Sequence, residues 1–546
     1  MGYELGKDNI PDNPRDIAES DAFRQWSEER RSGKEAKNPY PPESNEHEWW
    51  EEYFNELADR EERDMPDRPG EKCAVFGVFG KELDVSRLTF FGLFALQHRG
   101  QESSGIATSD GARIRCYRNV GLVTHAYDEV TIKELTGHIA IGHNRYSTSQ
   151  GTGIRYAQPW VTKADVLVHE RRAGTTIADG LLAFAHNGNL PSVTALAEFL
   201  KSKGVDTEDL TDSQMMAEAV SAYLAEGMSV KDAAVKAFPL FTGAFSLVMM
   251  TKDTLVAMRD HCGIRPLSLA RLNGGYVIAS ETCAFEPIGA EFIRDIAPGE
   301  ILVITEAGLE SVQAAPANPK LDIFEFVYFA RPDSMLMGKL VYEVRKRCGA
   351  RLAKESPVQA DIVVPVPETA IPVAIGYSHA TGIPLEMALV KNRYIHRTFI
   401  QPDQHSRDLG VKMKLVPLPE VLKGKRVVVI DDSIVRGTTS RRIVQAIFEA
   451  GASEVHFFSS CPPVRYPDFY GIDTPKQGDF IAACKPVEDI RAHIGATSLH
   501  YLSLEGLIEA IGVPQKLLCT SCFTGEYPID LRERGKEFML CKLADA

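Results

Sequence analysis

No stretch of this 546-residue chain holds the ~20 uninterrupted apolar residues of a membrane span. The N-terminus also lacks the apolar core of a secretory signal, so a cytoplasmic location is expected. Positive charge is in deficit: the formal net charge is -14, which argues against a general polyanion-binding surface and leaves room only for a local basic pocket. Nucleic acid and membrane are therefore not expected partners. Ten cysteines are too sparse in this length for a disulfide scaffold, and only Cys519 and Cys522 stand close together. Internal repeats are absent as well.

What is present is an ordinary globular composition, long enough for two domains plus tails. Residues 1–72 are rich in Glu, Asp, Arg, Asn and Pro, with one aromatic patch, "EWWEEYFNEL", and read as a solvated leader. From Cys73 the pattern turns to strands such as "CAVFGVFG", "HIAIGHNRYST", "LLAFAHNGNL" and "GAFSLVMM". After about residue 325, apolar strands alternate with helical segments. These regimes predict an α+β domain over 73–318 and an α/β domain with a mainly parallel sheet over 319–546, joined near "SVQAAPANPKLDIF".

The clearest local motif is "KRVVVIDDSIVRGTTSRRIVQAIFEAG". Val427 to Ile430 have the β-branched content of a buried strand, and Ile443, Val444, Ile447 and Phe448 fall at helical spacing. Between them, Arg436, Gly437, Thr438, Thr439 and Ser440 lie where backbone N–H groups and hydroxyls can surround a phosphate at the start of a helix. Asp431 and Asp432, at the strand's end, suit a ribose diol or Mg²⁺. A second strand end, "VVPVPETAIP", offers Thr369 as a further oxygen ligand for Mg²⁺. In "KNRYIHRTFIQP", Lys391, Arg393 and Arg397 suit a lid over pyrophosphate.

Cys73 poses a different question, because a cysteine is a strong nucleophile only as thiolate. A neighbouring histidine is the usual helper. If the chain is cut between Lys72 and Cys73, however, the freed α-amine, with an ordinary pKa of about 7.7 to 8.0, can take the thiol proton itself. The peptide bond to the leader would then be what holds the site silent.

The phosphate loop resembles that of type I phosphoribosyltransferases. "CAVFGVFG", "GLFALQHRGQESSGIA", "GHNRYST", "HNGNL" and "DSQ" resemble the glutaminase domain of the N-terminal-nucleophile amidotransferases. Joined in this order, the stretch from Cys73 to about Tyr527 resembles the amidophosphoribosyltransferase family. The resemblance implies a layered αββα glutaminase domain followed by a type I phosphoribosyltransferase domain. It makes Cys73 the nucleophile, Asn187 and the Gly188 N–H the oxyanion hole, and Arg145 and Asp212 the partners of the glutamine carboxylate and ammonium. Ammonia released there would pass through a closed apolar passage, walled by the lid, to phosphoribosyl pyrophosphate. The product would be 5-phosphoribosylamine, formed in the first step of purine biosynthesis. A homotetramer inhibited by purine nucleotides is also implied.

Three features depart from the family pattern. The lid carries His396 where glycine is usual. A [4Fe–4S] cluster on four cysteines, held by many members, finds only Cys519 and Cys522 here, the other two positions being Asp322 and Asp468. Cys461 is a conceivable substitute; reduced thiols are the expected state, with a cluster or a small Zn²⁺ site as alternatives. The leader is longer than usual. Either it is cut autocatalytically, or translation begins at Met65, or it stays attached and silences the glutaminase. In the last case the chain would be a blocked regulatory protein sensing phosphoribosyl pyrophosphate or purine nucleotides, the alternative to the enzyme.

Overall fold

Strands that are apolar at nearly every position need cover on both faces, and this is how the first half is built. The computed structural model describes residues 73–146, 153–162, 165–168, 175–392, 415–471 and 477–535. The leader 1–72 and the lid residues Arg393, Tyr394, His396 and Arg397 lie outside them.

Two antiparallel sheets face one another. In the nine-stranded sheet the central strands are β1 (Ala74–Phe79), β2 (Ser103–Ser109) and β3 (Ile139–Arg145), with β1 beside β3 and β3 beside β2. The six-stranded sheet is centred on β4 (Leu182–Ser192), β5 (Thr242–Met250) and β6 (Leu255–Arg259). Alternate side chains of β1 point opposite ways. Val75 and Phe79 join Ile141, Ala185, Val248 and Ala257 in the core between the sheets, whereas Phe76 and Val78 pack outward with helix α1 (Val85–Ala95). On the far side, α2 (Asp212–Ala225) and α3 (Val230–Ala237) cover Phe184, Leu247 and Met249. The result is the αββα layering that the resemblance implied.

Helix α2 starts where its sequence dictates. Thr211 accepts from the Gln214 N–H while the Gln214 side chain accepts from the Thr211 N–H, a capping box that seats Asp212 at the first helical position.

A short strand, β7 (Leu321–Asp322), opens the second half, whose main sheet is parallel: β8 (Ile362–Pro365), β9 (Arg426–Asp431), β10 (Glu454–Ser459) and β11 (Ser498–Tyr501), in that order. Helices α4 (Val341–Glu355) and α5 (Ile371–Thr381) pack on the face carrying Val363, Val428 and Phe458. Helix α6 (Thr438–Glu449) places Ile443, Val444 and Ile447 on the other, against Val427, Val429 and Phe457. After α5 the chain returns along the outer side of β8, where the Val363 N–H donates to the Pro384 carbonyl at 2.8 Å and the Glu386 N–H to the Val363 carbonyl at 2.9 Å. Strand β9 lies on the other side of β8. The connections thus diverge between β8 and β9, and the carboxyl ends at such a divergence are where sheets of this kind usually hold a ligand crevice.

A last short strand, β12 (Leu518–Cys519), pairs in parallel with β7. The described residues fall within one compact unit, Arg68–Ala546. A small apolar cluster of Ala244, Cys262 and Ile264 with Phe469, Tyr470, Cys519, Ile529 and Leu531 joins the two halves. No helix among the described residues is long and apolar enough to cross a membrane.

Candidate active site

Cys73 sits half-buried immediately before β1. Because Ala74 pairs with Asn144 across β1 and β3, Arg145 and Tyr146 come beside the thiol. Burial pushes the Cys73 thiol above its ordinary pKa; a backbone hydrogen bond from Tyr146 and the Arg145 guanidinium pull the other way, and the Glu102 and Asp212 carboxylates add to the rise. No histidine is among these groups. His143 and His186 are instead buried and held neutral, His143 down to about 3, by loss of solvent. His143 Nε2–H donates to the His186 carbonyl at 3.0 Å, and His186 Nδ1 meets the Ser213 hydroxyl at 2.9 Å. His143 Nε2 and His186 Nδ1 are thereby engaged by the fold, and burial makes both rings weak bases.

The Asn187-Gly188 step lies inside β4 rather than at a hairpin turn. Asn187 is 1% exposed; its Nδ2 reaches the Ser280 hydroxyl at 3.5 Å, and its Oδ1 has no hydrogen-bond partner among the described residues. Gly188 has φ +152°, and a β-carbon there would lie 2.0 Å from the Ala244 carbonyl oxygen, so only glycine fits. Asp212 is buried, accepting from the Leu190 N–H at 3.2 Å and the Ser213 N–H at 2.7 Å, which ties α2 to the same strand. Arg145 is engaged by Glu102, its Nη1 lying 2.9 Å from both carboxylate oxygens, and stacks over Tyr156 at 5.2 Å. The structure thus gathers Cys73, Arg145, Asn187, Gly188 and Asp212. It adds Glu102 and Ser280, which sequence reasoning did not single out; Glu102 stood in the quoted "HRGQESSG" run but carried no pairing signal.

The second constellation stands at this carboxyl end of the parallel sheet. Asp431 ends β9 and Asp432 follows; both are 1% exposed. Asp431 Oδ1 accepts the Asp432 N–H at 2.9 Å, and the Ser433 hydroxyl donates to Asp432 Oδ1 at 2.9 Å. Gly437 caps α6 with φ +84°, leaving Thr438 exposed, Thr439 half-buried and Ser440 buried in the helix's first turn. Arg436 Nη2 pairs with Asp479 at 3.1 Å. Thr369 is half-buried in the turn between the neighbouring strand β8 and α5. Lys391 is exposed at the last position of the strand Leu389–Lys391.

A third group stands where the resemblance places cluster ligands. Asp322 pairs with Cys519 across β7 and β12, and the Cys522 carbonyl accepts from the Arg465 and Tyr466 N–H groups just before Asp468. Both carboxylates turn to one fully buried guanidinium: Arg265 Nη1 lies 2.7 Å from Asp322 and Nη2 3.5 Å from Asp468. Arg265 Nη1 also meets Glu325 at 3.4 Å, and Glu325 in turn binds Arg99 at 2.8 Å. Burial pushes the Cys519 thiol up to about 12, and that of Cys522 well above its ordinary value.

Comparison with known proteins agrees with this two-part architecture. Residues 168–287 match the family described as glutamine amidotransferase domain, and residues 343–475 that described as phosphoribosyl transferase domain. The chain is 46% identical over 482 residues to the amidophosphoribosyltransferase of Synechococcus elongatus, covering 87% of this chain and 95% of that protein. It is 42% identical over 466 residues to the Bacillus subtilis protein of the same name, covering 84% and 95%. Among solved structures, the glutamine phosphoribosylpyrophosphate amidotransferase from B. subtilis complexed with ADP and GMP superimposes with a TM-score of 0.76 at 41% identity, covering 84% of this chain and 98% of that one. A structure titled as the allosteric regulatory enzyme of purine biosynthesis gives a TM-score of 0.77 at 41% identity, covering 84% and 97%. This chain belongs to the amidophosphoribosyltransferase family.

Proposed function

We propose that this chain hydrolyses glutamine at Cys73 and delivers the ammonia to phosphoribosyl pyrophosphate, making 5-phosphoribosylamine, glutamate and pyrophosphate at the head of purine biosynthesis. The halves responsible are 73–318 and 319–546, and the enzyme works in the cytoplasm.

The observation that carries this reading is the Asn187 amide. A buried polar group normally spends its hydrogen bonds on the fold. Asn187 keeps one long bond, to a Ser280 hydroxyl that also holds the Val75 N–H two residues after Cys73. Its capacity is available to a transition state.

Freed from Lys72, the Cys73 α-amine takes the thiol proton, since no histidine is among the groups acting on that thiol and burial weakens both nearby rings as bases. The sulfur attacks the side-chain amide carbon of glutamine, and Asn187 Nδ2–H with the Gly188 N–H stabilises the oxyanion. Collapse returns the proton to the leaving nitrogen and releases ammonia; water then cleaves the thioester to glutamate. Arg145 binds the substrate carboxylate by exchanging part of its bond with Glu102, and Asp212 receives the ammonium with the lone pairs left beside the Leu190 and Ser213 N–H groups. In the crevice, Gly437 to Ser440 and Arg436 hold the 5-phosphate end, and Lys391, Arg393 and Arg397 the pyrophosphate. Ammonia attacks C1 of the sugar and expels pyrophosphate.

Buried carboxylates and a hydroxyl at adjacent strand ends are the hard oxygen donors that Mg²⁺ takes. Asp431, Asp432 and Thr369 would hold it, where it neutralises pyrophosphate charge. A [4Fe–4S] cluster does not fit: two of its four positions are carboxylates already clamped by Arg265, and burial disfavours the thiolate form of the two remaining cysteines. A homotetramer inhibited by purine nucleotides completes the reading.

Mass spectrometry of the purified N-terminus, run alongside glutamine-dependent pyrophosphate release, tests it. Active protein beginning at Cys73 is expected. Active protein with the Lys72–Cys73 bond intact would overturn the proposed base, and an inactive chain with that bond intact would favour the regulatory alternative.

A further inference from the structure

Arg265 is entirely buried at the junction of the two halves and reaches the oxyanion strand through two intermediaries, Ser246 on the neighbouring strand β5 and a short segment of the second half. On one side its carbonyl accepts the hydroxyl of Ser246, which pairs with Asn187 across β5 and β4, at 3.0 Å. On the other, its side chain grips a short strap, Asp468–Gly471, from the second half. Arg265 Nε–H donates to the Tyr470 carbonyl at 3.2 Å, Nη2 lies 3.5 Å from Asp468, and Asp468 accepts the Tyr470 N–H at 2.8 Å. Both backbone groups of Tyr470 are thus fixed by a pair of opposite charges.

The strap in turn bears on β4. Asn189 Nδ2–H donates to the Phe469 carbonyl at 2.9 Å. Gly471 packs so tightly on Gly188 that a β-carbon there would lie 2.9–3.1 Å from the Gly188 backbone. Residues 188 and 189 are therefore held by residues 469 and 471.

We propose that Arg265 is a positioning residue for glutamine hydrolysis: through Asp468 and the Tyr470 backbone it presses the strap onto β4 and so fixes the oxyanion hole. The inference rests on the oxyanion role proposed above for Asn187 and Gly188. Physically, a donor that stabilises only the transition state must be aimed beforehand, and a loosened strand lowers kcat without changing ground-state binding. Arg265 and Arg99 share four buried carboxylates, Asp322, Asp468, Glu325 and Glu281. Removing Arg265 would strand several of them and endanger folding, so the test works at the strap instead.

Asp468→Asn, Asn189→Ala and the double variant are compared in the full-length, processed protein. Each single change is expected to lower kcat with glutamine about tenfold, with KM for glutamine and the ammonia-driven reaction both within about twofold of the parent. The double variant is expected to be no worse than the poorer single one, because both act through one strap. Multiplying effects, or an equal loss with ammonia, would overturn the proposal. Hydrogen exchange of the peptide spanning Asn187–Leu190 gives an answer independent of activity: it should quicken in Asp468→Asn, and unchanged exchange would overturn the proposal. Quickened exchange in a protein whose parent form never uses glutamine would refute the functional reading and leave the positioning role standing.

Discussion

The Ser280 hydroxyl accepts the Val75 N–H at 2.9 Å while the Ser280 N–H donates to the Val75 carbonyl at 3.0 Å. This double clasp lies two residues past Cys73, and the same hydroxyl is the one hydrogen-bond partner of the Asn187 amide nitrogen among the described residues. Ser280→Ala leaves a buried donor unsatisfied, at a cost of about 1–3 kcal/mol. Glutamine-dependent turnover should fall about tenfold while the ammonia reaction holds, since Ser280 touches nothing in the phosphoribosyl crevice. Steady-state assays with both nitrogen sources check this; parallel losses would mean that Ser280 serves general stability.

Cys73→Ala should abolish glutamine use and retain product formation from ammonia at high concentration, because the crevice between β8 and β9 needs no thiol. Loss of both activities in a folded protein would contradict the division of labour between the two constellations.

Asn187→Ala tests the oxyanion role by magnitude. Losing one such donor costs about 10²–10³ in kcat. KM for glutamine should barely move, because Arg145 and Asp212 remain. A raised KM with unchanged kcat would reassign Asn187 to substrate binding.

Gly437→Ala addresses the phosphate loop. With φ +84°, a side chain there is strained, and its first carbon would lie 3.0 Å from Ile481. Ammonia-driven assays should show KM for phosphoribosyl pyrophosphate raised about tenfold. An unaltered KM would remove the loop from the phosphate site.

The parts legible in the sequence were those whose causes are local. The Asp431–Ser440 loop was readable because strand, glycine, hydroxyls and amphipathic helix are contiguous, and Cys73 stood out at a change of pattern. The strand character of β1 was readable from its apolar run, but its place between a helix and a second sheet came only from the family resemblance. Arg265 was not legible. Its partners lie 57, 60 and 205 residues away, and an arginine followed by proline gives no local sign that it will be buried. Asp322 and Asp468 read as missing cysteines, yet the reason they stand there is a guanidinium that no spacing rule connects to them. The Arg145–Glu102 pairing was hidden in the same way, since adjacent strands bring together residues 43 apart.

That buried charge cluster predicts an unusual pH response. Burial, with Asp468 and Glu325 adding to it and Arg265 opposing, pushes the Asp322 carboxyl up to about 7. An unfolded aspartate ionises near a pH of about 4. As pH rises between those values, the unfolded chain releases a proton that the native state keeps, so Asp322's contribution to stability is full below the lower value and is lost as pH passes through the upper one. Asp322→Asn is neutral throughout and keeps a hydrogen-bonding group against Arg265. Its Tm relative to the parent should therefore climb by roughly 2–5 °C from about pH 5 to about pH 8, as calorimetry across that range would show. A difference that stays flat would mean that Asp322 is already ionised in the native state at the acid end, and that Arg265 outweighs the burial acting on it.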